Sequence, residues 1–191
     1  MREIIFGGTF DPIHKGHLLA AELALNSYNF NKVIFVPAGN PWMKSSNTVS
    51  AFHRLNMIKI AIDSNPAFFV SDVDIQRKGP TYMVDTLSDL NKKNSEDKPC
   101  ILLGSDVLSD IKKWHRYKDL IQSSEFFVIN RPGFNSAKSY MKNIKFNIID
   151  GKFIEVSASE IREKIKQGSN LDLLVPEKVE DYIRKNKLYK Y

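Results

Sequence analysis

Short apolar runs alternate with helical stretches along this chain, and that alternation narrows its fold more than any other feature. Glu3-Ile4-Ile5-Phe6 opens the series. Lys32-Val33-Ile34-Phe35-Val36 follows and ends at Pro37, and then comes Phe68-Phe69-Val70. Cys100-Ile101-Leu102-Leu103 is closed by Gly104, and Phe126-Phe127-Val128-Ile129 by Arg131-Pro132-Gly133. Each run is apolar at consecutive rather than alternate positions, as a strand buried on both faces must be. Between them, the stretch from Leu18 to Leu25 consists of strong helix formers. The stretch from Ala51 to Asp63 carries Leu55, Ile58 and Ile62 at helical spacing, and that from Thr81 to Leu90 carries Val84, Leu87 and Leu90. Residues Lys145 to Ile149 read as an edge strand and Phe153 to Val156 as a further short one. This order predicts an α/β, doubly wound, mostly parallel sheet of Rossmann-like type, with helices on both faces and ligands beyond the carboxyl ends of the strands.

Composition removes several alternatives. At 191 residues the chain suits one domain with a substantial core, and 42% hydrophobic residues with both charge signs interspersed argue against disorder. No apolar run approaches the roughly 20 residues of a membrane helix, and the first residues lead straight into a strand without a signal-peptide pattern. A single cysteine, Cys100, allows no internal disulfide, so a cytoplasmic setting is expected. The net charge of +6 favours anionic partners. Its lysines are scattered and form no nucleic-acid motif, so small phosphorylated molecules are favoured over nucleic acid.

The residues with chemical potential all follow strands. Gly7 to His17 join the first strand to the first helix, with two of the four histidines three residues apart. A strand, a glycine turn and a helix start gather backbone N–H groups and a positive dipole end at one point, which suits an anion. Further on, Ser157-Ala158-Ser159-Glu160 fits a helix capping box, and Arg162 sits one turn into that helix, where its guanidinium can reach the same anion. Neither the P-loop pattern nor the Gly-x-Gly-x-x-Gly spacing occurs. A histidine zinc site is disfavoured, because Cys100 lies on an expected strand and His53 and His115 on separate helical stretches.

Gly7-Gly8-Thr9-Phe10-Asp11-Pro12-Ile13-His14-Lys15-Gly16-His17 resembles the Gly-x-Phe-Asp-Pro-x-His-x-Gly-His signature of the nucleotidyltransferase superfamily. Val156-Ser157-Ala158-Ser159-Glu160-Ile161-Arg162 resembles its C-terminal Ile-Ser-Ser-Thr-x-Ile-Arg motif. Within the superfamily the chain most resembles the bacterial nicotinate-nucleotide adenylyltransferases. Supporting segments are Pro37 to Lys44, Gly79 to Leu87, Leu103-Gly104-Ser105-Asp106, and the ending from Val175 through Ile183. The resemblance departs at Met43, where many relatives have histidine, and at Ala158, where a second serine is usual.

The resemblance implies a single nucleotidyltransferase domain over residues 1–191, with 157–191 as a helical segment completing an ATP site. It implies adenylyl transfer from ATP to nicotinate mononucleotide, with Mg²⁺ accompanying ATP and no metal held by the protein alone. Catalytic roles fall on His14, His17, Lys44 and Arg162. ATP contacts fall on Gly7, Gly8, Thr9, Phe10, His17, Ser157, Ser159 and Arg162, and mononucleotide contacts on Thr86, Asp106 and Trp114. Pantetheine-phosphate adenylyltransferase, a nicotinamide-mononucleotide enzyme, a nucleotide sensor and a basic nucleic-acid binder are the alternatives. A homo-oligomer remains open.

Overall fold

Six parallel strands in the order β3-β2-β1-β4-β5-β6 organise the chain. They are β1 (Glu3–Gly8), β2 (Lys32–Pro37), β3 (Phe68–Val70), β4 (Cys100–Gly104), β5 (Glu125–Ile129) and β6 (Phe146–Ile149). The computed structural model describes residues 2–42, 48–90, 98–108, 110–130, 144–151 and 154–190. Helices α1 (Lys15–Tyr28), α2 (Ala51–Ile62), α3 (Val73–Gln76), α4 (Met83–Leu90), α5 (Ser105–Leu108), α6 (Tyr117–Ser123), α7 (Ala158–Lys166) and α8 (Glu177–Lys185) join or follow them.

Strand alternation explains the two-faced core. Ile4 and Phe6, with Val33, Phe35, Leu102 and Phe127, face a layer formed by α1, α2, α7 and α8. Their neighbours in sequence, Ile5, Ile34, Ile101, Leu103 and Phe126, face Leu87, Leu108, Ile111 and Leu120 on the other side. Side chains of a strand point to opposite faces at successive positions, so a sheet sandwiched between helices needs apolar residues at every position.

The strand order reverses between β1 and β4. Connections lead away from that point to β2 on one side and β5 on the other, leaving a crevice above the carboxyl ends of β1 and β4. Both the first glycine motif and Gly104-Ser105-Asp106 therefore open onto the same crevice.

Several sequence expectations shift. The helix expected from Thr81 begins at Met83, because Thr81 is used to fasten loops together: its N–H donates to Asn40 O (2.9 Å) and its hydroxyl accepts from Asn40 N (3.1 Å). His115 lies in a turn, before the left-handed Arg116, rather than in a helix. Residues 154–156 form no strand; Phe153 lies outside the described residues. The sheet edge beyond β5 is already taken by β6, and Val156 instead buries its side chain against the start of α1.

The loop after β2 crosses α3 at very close range. A Cβ built on Gly39 would lie 2.1 Å from the Asp74 carbonyl oxygen, which is backbone and has little room to give. Gly39→Ala is expected to cost about 1–3 kcal/mol of stability through overpacking, read as a lower urea midpoint at unchanged m-value.

Candidate active site

The loop leaving β1 turns back on itself around an aromatic side chain. Phe10 adopts a left-handed backbone (φ 51°) and is buried, its ring under Gly8, where any Cβ would meet it at 2.9 Å. The ring packs edge-on against Phe6 and His17, with centroids 5.5 and 5.0 Å apart. A bulky residue in this conformation persists only when its surroundings enforce it. Here the enforcing partners are on either side, Gly8 above and the core below.

Helix α1 follows at once, with His14 at its N-cap. The His14 backbone N–H donates to Nδ1 of His17 at 3.2 Å, and the two rings stack at 3.6 Å. Because Nδ1 accepts, the proton of a neutral His17 resides on Nε2, which turns that nitrogen into a donor. Gly16 makes the arrangement possible: a Cβ there would sit 2.9 Å from Val156 Cγ1 and 3.1 Å from the His14 ring. The His-x-Gly-His spacing thus has a steric cause as well as a chemical one.

The start of α7 lies beside the start of α1. Ser157 caps it, accepting from Glu160 N at 3.1 Å. Arg162 donates through Nη1 to the Asp11 carbonyl at 2.8 Å and through Nη2 to Ser159 Oγ at 3.3 Å. Two helix starts and a guanidinium therefore converge where the sequence placed an anion.

Beneath this point lies a polar network that sequence reasoning missed. Arg54 of α2 is 1% exposed. It donates to the carbonyls of Val49 (3.0 Å), Thr9 (2.8 Å), Ala38 (2.6 Å) and Gly39 (3.3 Å), tying the loops after β1 and β2 together. Burial lowers its pKa, and the Asp11 carboxylate opposes that shift. Asp11 in turn accepts the Tyr189 hydroxyl at 2.7 Å and the Val49 N–H at 3.3 Å. Burial above all, with the neighbouring Asp11 charge, pushes the Tyr189 phenol far above its ordinary pKa, so it stays a donor. The available signal for Arg54 was its spacing: it stands three and four residues before Met57 and Ile58, on the buried face of α2.

The other end of the cleft gathers Thr86, Asp106 and Trp114. Thr86 is fully buried, and its hydroxyl donates to the Asp74 carboxylate at 2.8 Å. Its N–H is taken by the Tyr82 carbonyl. Both Thr86 donors are thus engaged within the protein, where they fasten the first turn of α4. Burial raises the Asp74 pKa, while Thr86 and Arg77 oppose that shift; Arg77 also pairs with Asp89 at 2.6 Å. Around the mouth, Tyr82 stacks on His115 at 4.3 Å and meets Trp42 edge-on at 5.9 Å, aromatic neighbours that sequence reasoning did not single out.

One cleft of about 1920 Å³ joins the two ends. It exceeds the roughly 300–1,000 Å³ of a single small-molecule pocket, which leaves room for two nucleotides at once. Gly7, Gly8, Thr9, Phe10, His14, His17, Ser157, Ser159 and Arg162 line it with the three residues of the far end. Lys44 lies outside the described residues. No helix among the described residues is long and apolar enough to cross a membrane.

Residues 5–164 match the family described as cytidylyltransferase-like. A probable nicotinate-nucleotide adenylyltransferase of Leifsonia xyli is 38% identical over 186 residues, covering 97% of this chain and 92% of that protein. One from Clostridium tetani is 37% identical over 198 residues, covering 99% of each. Among solved structures, the nicotinic acid mononucleotide adenylyltransferase of Plasmodium falciparum complexed with NaAD superposes with a TM-score of 0.83 at 26% identity, covering 100% of this chain and 98% of that one.

Removing the Arg54 guanidinium would leave four carbonyls without their donor and Asp11 with Arg162, 3.9 Å away, as its remaining nearby cation. Arg54→Met is expected to lower unfolding free energy by about 3 kcal/mol, measured by chemical denaturation. A loss under about 1 kcal/mol would mean that water replaces the network.

Proposed function

The chain belongs to the cytidylyltransferase-like family and, within it, to the nicotinate-nucleotide adenylyltransferases, and we propose that it transfers the adenylyl group of ATP to nicotinate mononucleotide. The products are nicotinate adenine dinucleotide and pyrophosphate. The observation that carries the reading is the convergence of the α1 and α7 starts, with His17 fixed as an Nε2–H donor and Arg162 beside it, at one end of a cleft sized for two nucleotides.

An oxygen of the mononucleotide's phosphate attacks the α-phosphorus of ATP. A new P–O bond forms, the bond to the bridging α–β oxygen breaks, and its electron pair leaves with pyrophosphate. The attacking phosphate, with a second pKa near ~6, is largely dianionic at neutral pH, so no general base is needed. The requirement is to hold two repelling anions in line and to stabilise the charge that moves onto the leaving group. His17 Nε2–H and His14 donate to the reacting phosphate, with the backbone at Gly7, Gly8, Thr9 and Phe10 shaping its seat. Arg162, Ser157, Ser159 and Lys44 hold the β- and γ-phosphates, so residues 157–191 complete the ATP site.

The ends of the cleft fit different ligands. At the α1 and α7 starts His14, His17, Ser157, Ser159 and Arg162 offer donors suited to phosphate oxygens, Glu160 adds a carboxylate in the first turn of α7, and the Asp11 carboxylate is already engaged. A divalent cation, Mg²⁺ in this reading, would accompany the triphosphate and would supply further charge neutralisation there. At the far end Trp114 offers a stacking face to the pyridine ring and Asp106 accepts from ribose hydroxyls. The ring carboxylate is read by the Met83 and Val84 N–H groups at the start of α4, which Thr86 holds in place through Asp74.

Purified protein with ATP and Mg²⁺, offered nicotinate mononucleotide, nicotinamide mononucleotide or phosphopantetheine, should release pyrophosphate fastest with the first. We expect kcat/KM at least about tenfold above that for the amide, since helix-start donors favour a carboxylate. Release with none of the three acceptors would sink adenylyl transfer. His17→Ala should lower kcat by about 10² with a modest change in KM, because a donor to the reacting phosphate acts mainly in the transition state. A tenfold higher KM at unchanged kcat would reduce His17 to a ground-state contact.

A further inference from the structure

Resting on the adenylyl-transfer reading, we propose that His53 is a binding residue for the leaving pyrophosphate, oriented by Tyr182 and Asn56. His53 lines the same cleft as Ser159, Arg162 and Tyr189, on the wall where α2 begins. Its Nδ1 lies 3.0 Å from the Tyr182 hydroxyl of α8, and that oxygen accepts from Asn56 Nδ2 at 3.1 Å. With Asn56 donating into the phenol oxygen, we take the phenol to donate its own proton to His53 Nδ1, the arrangement that gives the Tyr182 hydroxyl both an acceptor and a donor role. The imidazole proton then resides on Nε2.

His17 shows the same pattern at Nδ1, where a protein donor is seated. The chain from Asn56 through Tyr182 to His53 spans two helices. Ordering three side chains that are only partly buried opposes folding through lost rotamer freedom. An N–H donor on the cleft wall gives that order a use. Arg162 and Lys166 line the same cleft, as does Glu160, and the carboxylate of Glu163 is engaged by Lys166 at 3.1 Å. Donors and cations together select the β- and γ-phosphates of ATP, which become the leaving pyrophosphate.

The test titrates inorganic pyrophosphate and, separately, AMP into wild-type protein and His53→Ala, His53→Gln and Tyr182→Phe by calorimetry, with KM for both substrates measured in parallel. His53→Ala should weaken pyrophosphate about tenfold and raise KM for ATP by a similar factor, leaving AMP affinity and KM for the mononucleotide within about twofold. His53→Gln keeps an N–H donor and should recover most of the loss, and Tyr182→Phe should lose about threefold. Pyrophosphate affinity unchanged in His53→Ala, or Gln no better than Ala, would overturn the proposal. Unchanged affinity in Tyr182→Phe would overturn the orienting role. Absence of turnover in wild type would sink adenylyl transfer itself, whereas the pyrophosphate titration reads His53 independently of turnover.

Discussion

A buried carboxylate holds the site together. Asp11 sits between the first strand and the first helix, and three separate parts of the chain meet on it: Val49 N–H, the Tyr189 hydroxyl and, at its carbonyl, Arg162. A buried charge is tolerated only where partners replace water, so each of those segments is drawn to the loop. Arg54 closes the circle by gripping the carbonyls of Thr9, Ala38, Gly39 and Val49. The loop after β1 is therefore preorganised by contacts that no ligand has to form.

Preorganisation matters because the chemistry asks for little else. The nucleophile comes already ionised, and the protein's task is to place donors where charge moves. The His14 N–H bond to His17 sets a tautomer, Gly16 leaves the rings room to stack, and Arg162 is tethered to the loop it serves. Lys15 adds a further link, donating to the Leu174 and Asp172 carbonyls through its N–H and Nζ. Residues after α7 thus brace the first motif from the opposite end of the chain.

The parallel sheet was legible because each strand writes its burial on both faces into four or five consecutive apolar residues. The turn after the first strand was legible too, since its glycines and its His-x-Gly-His spacing mark where the structure sets the α1 start beside the α7 start. Arg54, Asp74 and Tyr189 were not, because their meaning lies in partners far away in sequence: Tyr189 and Asp11 are 178 positions apart. Thr86 belongs with them. Sequence marked it as a ligand contact and the structure sets it in the cleft wall, but the bond of its hydroxyl to Asp74 is a pairing that periodicity cannot reveal. The late start of α4 has the same origin, in the contact between Thr81 and Asn40.

The central claim is that the loop fixes His17 Nδ1 as an acceptor and so sets the ring proton on Nε2. Long-range ¹H–¹⁵N correlation spectra of protein labelled at histidine nitrogens report the tautomer of each ring directly. The account predicts, for His17, a protonated Nε2 and an unprotonated Nδ1 in the free protein, with the Nε2 proton moving downfield when ATP and Mg²⁺ are added. A free-state His17 carrying its proton on Nδ1, or an Nε2 proton that ignores ATP, would contradict it.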